Sequence, residues 1–512
     1  MPSLKGKLAD LLQRHRWVPL AAAFAIIELA YVFFVSAGRF THWPTTLGFL
    51  DDQAEGFRAG HLHFAIEPAA ALVAKANPFD PAWRPLWYWD ASLYDGHYYL
   101  YWGPVPALLL AGFKTVFRVH AHIGDQYVVF VLASLQALAG LVLIDRVQRR
   151  LFPELPAVFV FLAVAVFAFA NPTPYNLGRG AVYEAAIVGG HAFLIAGLVF
   201  AFDALSALGR QRSRLALAGT CWVLAVGCRA SIAPAVALLV ALTCWLAAPR
   251  GASRWRLRAV ALRWLGAPIA AGVALLLTYN KLRFDAWLDF GRHYQLTWIA
   301  FGSSPTYLPA NVWSYAFRPG ALRCTFPYLF SIPDMGARAL PGWLHAAAGY
   351  IVYEPVIGWL LAVPWAWLAP ATALFGARRL VALRHRSADD GGASAVGRDV
   401  SLDVVLAWLA AATAIAAAGS FLVPLTLFWA TMRFLGDATP ALTLAGTVGW
   451  WLWHSRIRER PSARRLVTAA AVVLALATVG AGLALGFAGQ YGHFRQHNPA
   501  LLDRLEKALS FC

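Results

Sequence analysis

The sequence predicts an all-α polytopic membrane protein, with about eleven transmembrane helices and interfacial helices on its outer face. Three observations carry that prediction. Sixty per cent of the 512 residues are hydrophobic and only 13% are charged, well below the roughly 25% charged of a soluble domain. Apolar runs recur along the chain near the length, about 20 residues, that crosses a hydrocarbon core of about 30 Å. Between them stand short basic segments, at 1–16, 145–150, 210–214, 250–263, 378–398 and 456–465, which hold 25 of the 43 Lys and Arg residues.

The positive-inside rule puts those six segments on the cytoplasmic face. The net charge of +17 is then a topology signal, and no nucleic-acid partner is expected. The spans follow at 17–37, 126–144, 157–171, 181–203, 215–228, 231–248, 264–280, 349–373, 402–422, 436–454 and 466–487, with the N-terminus cytoplasmic and the C-terminal tail outside. The first run is too long for the apolar region of a signal peptide and reads as a retained anchor carrying Glu28. Residues 104–118 are too few to cross, and Lys114 and Arg118 at helical spacing fit an interfacial helix. Residues 215–248 have basic loops at both ends, so they form a hairpin bent near Gly227-Cys-Arg-Ala-Ser231. Its first arm reaches only about 21 Å, which leaves Arg229 just below the outer surface. A cation there is expensive and usually functional, with snorkelling as the alternative.

A transmembrane domain, 1–487, thus carries two external loops, 38–125 and 281–348, followed by a short external tail, 488–512. The first loop holds the acidic groups and the aromatic stretch Trp87-Tyr-Trp-Asp-Ala-Ser-Leu-Tyr-Asp-Gly-His-Tyr-Tyr-Leu-Tyr-Trp-Gly-Pro-Val-Pro106. The second is rich in Trp, Tyr, Pro and Gly and contains Lys281, Arg283, Arg292, Arg318, Arg323 and Arg338. Each lacks a long apolar periodicity of its own, so both should fold onto the membrane as caps. Residues 386–398 read as a flexible linker. The chain has neither a Gly-x-x-x-x-Gly-Lys-Ser/Thr phosphate loop nor Gly-x-Gly-x-x-Gly, which argues against primary ATP-driven transport. Cys221, Cys228 and Cys244 fall in spans, while the external Cys324 and Cys512 are free to pair. His61 and His63 form a weak His-x-His signal near Asp51 and Asp52. No metal-ligand spacing is found, and no cofactor is required by the sequence, although a divalent metal is compatible with it.

The chemistry has a location. Asp51 and Asp52 follow the first span, and one of them in a cleft would serve as a general base toward a hydroxyl. Arg179, Arg229, Lys281, Arg283 and Arg433 stand at the outer ends of other spans, and a guanidinium fork matches phosphate oxygens. Carboxylate and cations at a membrane surface suggest displacement of a lipid phosphate by a hydroxyl. The bland alternative is a set of surface salt bridges worth little each.

The order of features resembles the C-type glycosyltransferase superfamily, multi-span enzymes that use polyprenyl-phosphate sugars and include the lipid A aminoarabinose transferases and the protein O-mannosyltransferases. The resemblance lies in Asp51-Asp52 after the first span, Phe57-Arg-Ala-Gly-His-Leu62, Tyr98-Tyr-Leu-Tyr-Trp-Gly-Pro-Val-Pro-Ala-Leu108 and Arg433-Phe-Leu-Gly-Asp-Ala-Thr-Pro-Ala-Leu442. The chain is also similar to a bacterial subgroup in Val182-Tyr-Glu-Ala-Ala-Ile187, Tyr279-Asn-Lys-Leu-Arg-Phe284 and Asp289-Phe-Gly-Arg-His-Tyr-Gln295. It departs in reading Asp-Asp-Gln where Asp-Glu is common, and Arg229-Ala230 where the subgroup has Arg-Pro. The resemblance implies an inverting transfer in a bacterial inner (cytoplasmic) membrane, from a polyprenyl-phosphate sugar to a glycan, lipid or protein acceptor on the external (periplasmic) face. In it Asp51 or Asp52 is the base, and Arg433, with Lys281, Arg283, Arg229 and Arg179, holds the phosphate. Asp90, Glu184, Tyr98, Tyr99 and His61 are acceptor or supporting candidates. Two rival classes are a flippase or transporter, which would favour midplane charges and repeats, and a surface-polysaccharide polymerase or ligase, for which loop 281–348 has the length.

Overall fold

The computed structural model describes residues 16–45, 47–206, 211–247, 254–297, 299, 301–332, 340–351, 354–389 and 401–512. Its main helices are α1 (Trp17–Val35), α2 (Phe49–Arg58), α3 (Val105–Val116), α4 (Asp125–Leu151), α5 (Val158–Phe169), α6 (Val182–Ser206), α7 (Gln211–Cys228), α8 (Ala233–Leu246), α9 (Arg254–Phe284), α10 (Ala369–Asp389), α11 (Leu402–Phe421), α12 (Thr439–Arg456), α13 (Pro461–Ala488) and α14 (Pro499–Leu509). Among the described residues seven helices are long and apolar enough to cross a membrane, and shorter apolar helices accompany them.

Burial separates an inner bundle from an outer ring. Helix α6 packs on α4 and α7, α7 on α9, α8 on α11, and α10 and α12 on each other and on α11. The most apolar window of α6 is 83% buried, against 11% for α9 and 22% for α1 and α13. Lipid tails are as apolar as leucine, so the outer helices leave Ile26, Leu275 and Leu476 exposed at no hydrophobic cost. Small residues set the close approaches between helices. A Cβ on Gly482 of α13 would sit 1.8 Å from the Phe169 carbonyl oxygen, so only glycine allows α13 to lie against the end of α5.

The α7–α8 hairpin breaks where the sequence placed the bend, with Arg229 in extended conformation between the helices. The expected span 349–373 is corrected. Among its described residues it has a short helix, Trp359–Ala362, and a 3₁₀ turn, Pro364–Leu368, before the long helix that starts at Ala369. Pro364 removes a backbone donor and forces Val363 out of helical geometry. Helix α10 therefore runs on to Asp389, through the first part of the expected basic loop. Most of the expected linker at 386–398 lies outside the described residues.

The two long loops expected to be external fold onto the bundle. Strands β1 (Ser92–Tyr94) and β2 (His97–Tyr99) form a hairpin whose turn residues Asp95 and Gly96 both have positive φ, as a two-residue hairpin demands. Strands β3 (Gly320–Leu322) and β4 (Leu329–Ser331) form a second. A disulfide joins Cys324 to Cys512, fastening the C-terminal tail to the second loop, as the external position of both cysteines allowed. Helix α3 packs on α2, and its Lys114 turns inward. Fully buried, Lys114 Nζ lies 2.6 Å from Asp51 Oδ1 and 2.5 Å from Glu55 Oε1. Removing one member of a buried ion pair typically costs about 3–5 kcal/mol. Lys114→Met should lower stability by about that amount, read as a fall in melting temperature in detergent. An unchanged melting curve would show that the pair does not hold α2 to α3.

Candidate functional site

The aromatic loop, the loop that follows α9 and one end of the bundle line a cavity of about 640 Å³. Its wall carries Asp90 and Glu354 and five arginines: Arg179, Arg229, Arg283, Arg292 and Arg433. Two of its aromatic walls, Tyr101 and Trp102, come from the first loop, and Tyr183 comes from α6.

Asp90 is the carboxylate best placed for chemistry. It has a positive φ of 69°, a left-handed conformation that aspartate tolerates better than most residues. Its backbone is pinned by Asp90 N donating to Leu296 O at 3.1 Å, and by Leu296 N donating to Ala91 O at 2.8 Å. Its side chain accepts from Gln295 Nε2 at 2.6 Å and from the Tyr183 hydroxyl. Both external loops are therefore needed to aim it. A close approach fixes the far end of the aromatic loop: a Cβ on Gly103 would lie 2.0 Å from the Gly227 carbonyl oxygen.

The arginines divide by partner. Arg229 is bidentate to Asp437, with Nε and Nη2 each 2.6 Å from a carboxylate oxygen, and His191 Nε2 lies 3.6 Å from the same group. Arg433 Nη1 donates to Glu354 Oε1 at 2.7 Å. Thr431 and Tyr491 also donate to Glu354. Burial alone would raise the Glu354 carboxyl, but the charges of Arg433 and Arg179 and these bonds hold it below the usual carboxylate range. Arg179 lies 3.5 Å from Glu184, which is fully buried. Arg283 bonds Leu100 O at 2.6 Å and Asn280 Oδ1 at 2.9 Å. Arg292 sits 3.3 Å from the Phe301 ring centroid. Among the described residues, Arg283 and Arg292 take part in no ion pair, and the buried Nε of Arg292 and of Arg433 bonds no protein acceptor.

The other expected site residues lie away from this cavity. Asp51 and Asp52 do not line the cavity. They point different ways, as neighbours on α2 must. Asp51 is taken by Lys114 and by the Ile123 backbone N–H at 3.1 Å. Asp52 accepts from the Tyr88 hydroxyl at 2.5 Å, and burial raises its carboxyl despite that bond. Lys281 is outside the cavity and pairs with Asp285 one turn on. Tyr98 and Tyr99 pack beside Tyr88 and Phe284 respectively, behind the wall, and His61 stacks on His63 away from it. Arg179, Arg229, Arg283, Arg433 and Asp90 do come together as wall residues.

The sequence motifs contain Arg292, Gln295, Tyr101, Tyr183 and Asp437 without giving them individual site roles, and Glu354 and Tyr491 were not singled out. Glu354 left a signal, because a carboxylate inside an expected span is a functional candidate by default. Tyr491, in a turn between Gly489 and Gly492 with φ of 53°, left none. Among the described residues one group of three potential metal ligands comes together, His63, Glu67 and His97, and it lies outside the cavity.

No protein-family model matches the chain, and no curated protein matches it in sequence. Its fold has neighbours among solved structures of the oligosaccharyltransferase of Archaeoglobus fulgidus. The apo crystal structure matches with a TM-score of 0.50 and 13% identity, over 92% of this chain and 56% of that one. The likeness lies in the all-α polytopic fold. The crystal structure with Zn and sulfate gives 0.49 and 14% over 91% and 53%, and the complex with an inhibitory peptide and a dolichol-phosphate gives 0.44 and 12% over 94% and 57%. The chain spans little more than half the length of these neighbours.

The Arg229–Asp437 pair supports the cavity wall from beneath. Asp437→Ala leaves a buried guanidinium unpaired and should cost about 3–5 kcal/mol, whereas the double variant Arg229→Met, Asp437→Leu should recover most of that. Thermal melting of the three proteins in detergent distinguishes the cases, and a double variant as unstable as the single would reject the account.

Proposed function

We propose that the chain is an integral-membrane glycosyltransferase. It moves a sugar from a polyprenyl-phosphate donor to an acceptor hydroxyl, with inversion, on the external face of a bacterial cytoplasmic membrane. The observation that carries the reading is the cavity itself, in which one hydrogen-bonded carboxylate, Asp90, shares the wall with Arg283 and Arg292, two guanidinium groups that form no ion pair among the described residues. The fold likeness to an oligosaccharyltransferase supports it.

In this reaction Asp90 accepts the proton of the acceptor hydroxyl as the oxygen attacks the anomeric carbon. The bond from that carbon to the phosphate oxygen breaks, and the electron pair leaves with the polyprenyl phosphate. Gln295 and Tyr183 hold Asp90 in position through its two oxygens. Arg283 and Arg292 meet the departing phosphate, with Arg433 Nε as a further donor, because fixed donors aimed at developing charge are often the largest catalytic contribution. Val273, Leu276 and Leu277 of α9 form an apolar side of the cavity, and Val273 is partly exposed on the outer helix, which suits entry of a lipid tail from the bilayer. Tyr101 and Trp102 offer flat faces for a sugar ring. The base role expected of Asp51 or Asp52 thus passes to Asp90 in the same loop. The basic loops at the opposite ends of the spans support an external cavity and a cytoplasmic N-terminus.

Two predictions follow from this chemistry. Asp90→Asn should reduce transfer from a labelled polyprenyl-phosphate sugar in membranes by about 10²–10⁴-fold, while Asp52→Asn, which keeps an acceptor for Tyr88, should retain activity. Full activity in Asp90→Asn removes it as the base, and loss of transfer in an Asp52→Asn protein of wild-type stability would return that role to Asp52. Arg292→Ala should weaken donor use at unchanged acceptor KM, and wild-type donor kinetics there would reject its phosphate role. Mass spectrometry of envelope glycolipids from cells with and without the chain identifies the sugar.

A further inference from the structure

Outside the cavity, two histidines and a glutamate from separate stretches of the first loop converge. We propose that His63, Glu67 and His97 bind a divalent cation of the zinc class. Their potential ligand atoms all lie within 4.8 Å of one another. Two imidazoles and a carboxylate form a donor set typical of zinc, and one that discriminates against magnesium and calcium, which prefer oxygen alone.

The hydrogen bonding of the two rings suits a metal. His63 Nδ1 donates to the Phe64 carbonyl at 2.8 Å, which leaves the Nε2 lone pair free. An imidazole whose other nitrogen bonds a carbonyl is the usual supporting arrangement at a metal site. His97 Nδ1 is buried and makes no hydrogen bond, although Glu67 Oε2 is 3.5 Å away. Glu67 has no Lys or Arg partner among the described residues, its recorded ion-pair neighbour being His97.

A tetrahedral ion with ligands at about 2.0–2.1 Å needs its donors about 3.4 Å apart. The side chains of His97 and Glu67 are partly to largely exposed, so rotation about their own bonds supplies the closure. The His63 and His97 rings stack at 4.2 Å, and His61 stacks on His63 at 4.8 Å. The backbone is held independently, by Phe64 N donating to Tyr98 O at 2.8 Å. An ion here cross-links residues 61–67 to the β1–β2 hairpin, a few residues from Asp90. The site stands apart from the cavity, and its test does not depend on the transferase reading.

The test uses the full chain in detergent, carrying an affinity tag without histidine and stripped with a chelator. Zinc chloride is titrated against a chromophoric indicator, and retained metal is counted after gel filtration. One zinc per chain is expected, with a higher melting temperature in zinc and none of that rise in magnesium. His97→Ala and Glu67→Gln should each weaken binding by more than about tenfold, since even supporting residues are commonly worth about 10–100-fold. Glu67→Gln keeps the size of an exposed side chain and guards against a folding defect. Zinc affinity unchanged in both variants, or no zinc retained by the native chain, means that the three imidazoles are an aromatic stack only and overturns the proposal.

Discussion

The cavity depends on holding guanidinium groups close together in a protein interior, where each is costly unless a carboxylate or a ligand answers its charge. Two of the five are answered by well-buried carboxylates at short range, Arg229 by Asp437 and Arg433 by Glu354. The stretch Met432–Asp437 provides one member of each pair, and its 3₁₀ geometry is the reason that it can. At about three residues per turn, positions four apart point about 120° away from each other. In an α-helix the same positions would be neighbours and would pair together. Arg433 is thus free to reach Glu354 on the cavity wall while Asp437 reaches Arg229 between α7 and α8.

The remaining charge is what gives the cavity its preference for an anion. Arg283 comes from the end of α9 and Arg292 from the loop after it, and each is partly desolvated by aromatic faces. Arg283 lies 3.8 Å from the Tyr279 ring centroid, and Arg292 lies close over Phe301. Cation–π contacts are worth about 0.5–2 kcal/mol and do not consume in-plane N–H donors, so the buried Nε of Arg292, which bonds no protein acceptor, keeps a donor for an anion such as phosphate. The aromatic richness of both external loops is therefore more than an interfacial belt, since it lowers the cost of keeping unpaired cations in place.

How much of this was legible in the sequence varies with the range of the interaction. Apolar runs and basic loops gave the bundle, and the hairpin at Arg229 followed from its two basic flanks. Segment 349–373 misled because its apolar composition outweighed Pro355, Pro364 and Pro370, although proline spacing of that kind cannot sustain one helix. In the site, charged residues at span ends were visible, and Arg179, Arg229, Arg283 and Arg433 line one cavity. What composition could not show is direction. Lys281 satisfies itself on Asp285 one turn away, and Lys114 turns inward to Asp51. Contacts such as Gln295 to Asp90 join residues 205 positions apart, and no local pattern announces them.

The first-loop acidic pair still bears on the cavity, by way of the backbone. Asp52 accepts from Tyr88, two residues before Asp90, and its carbonyl accepts from Ala65 N at 3.1 Å. Tyr88 packs edge-on to Phe49 of α2 and beside Tyr98 of the hairpin. Asp51, through Lys114, fixes α2 against α3, the helix that opens immediately after Trp102 and Gly103 of the wall. Both ends of the aromatic loop are therefore tied to one short helix. An aspartate in left-handed conformation keeps that geometry only where its surroundings over-determine it. Asp51 and Asp52 supply part of that constraint for Asp90. An acidic motif just after the first span can accordingly be essential to such a site without its carboxylates entering the reaction.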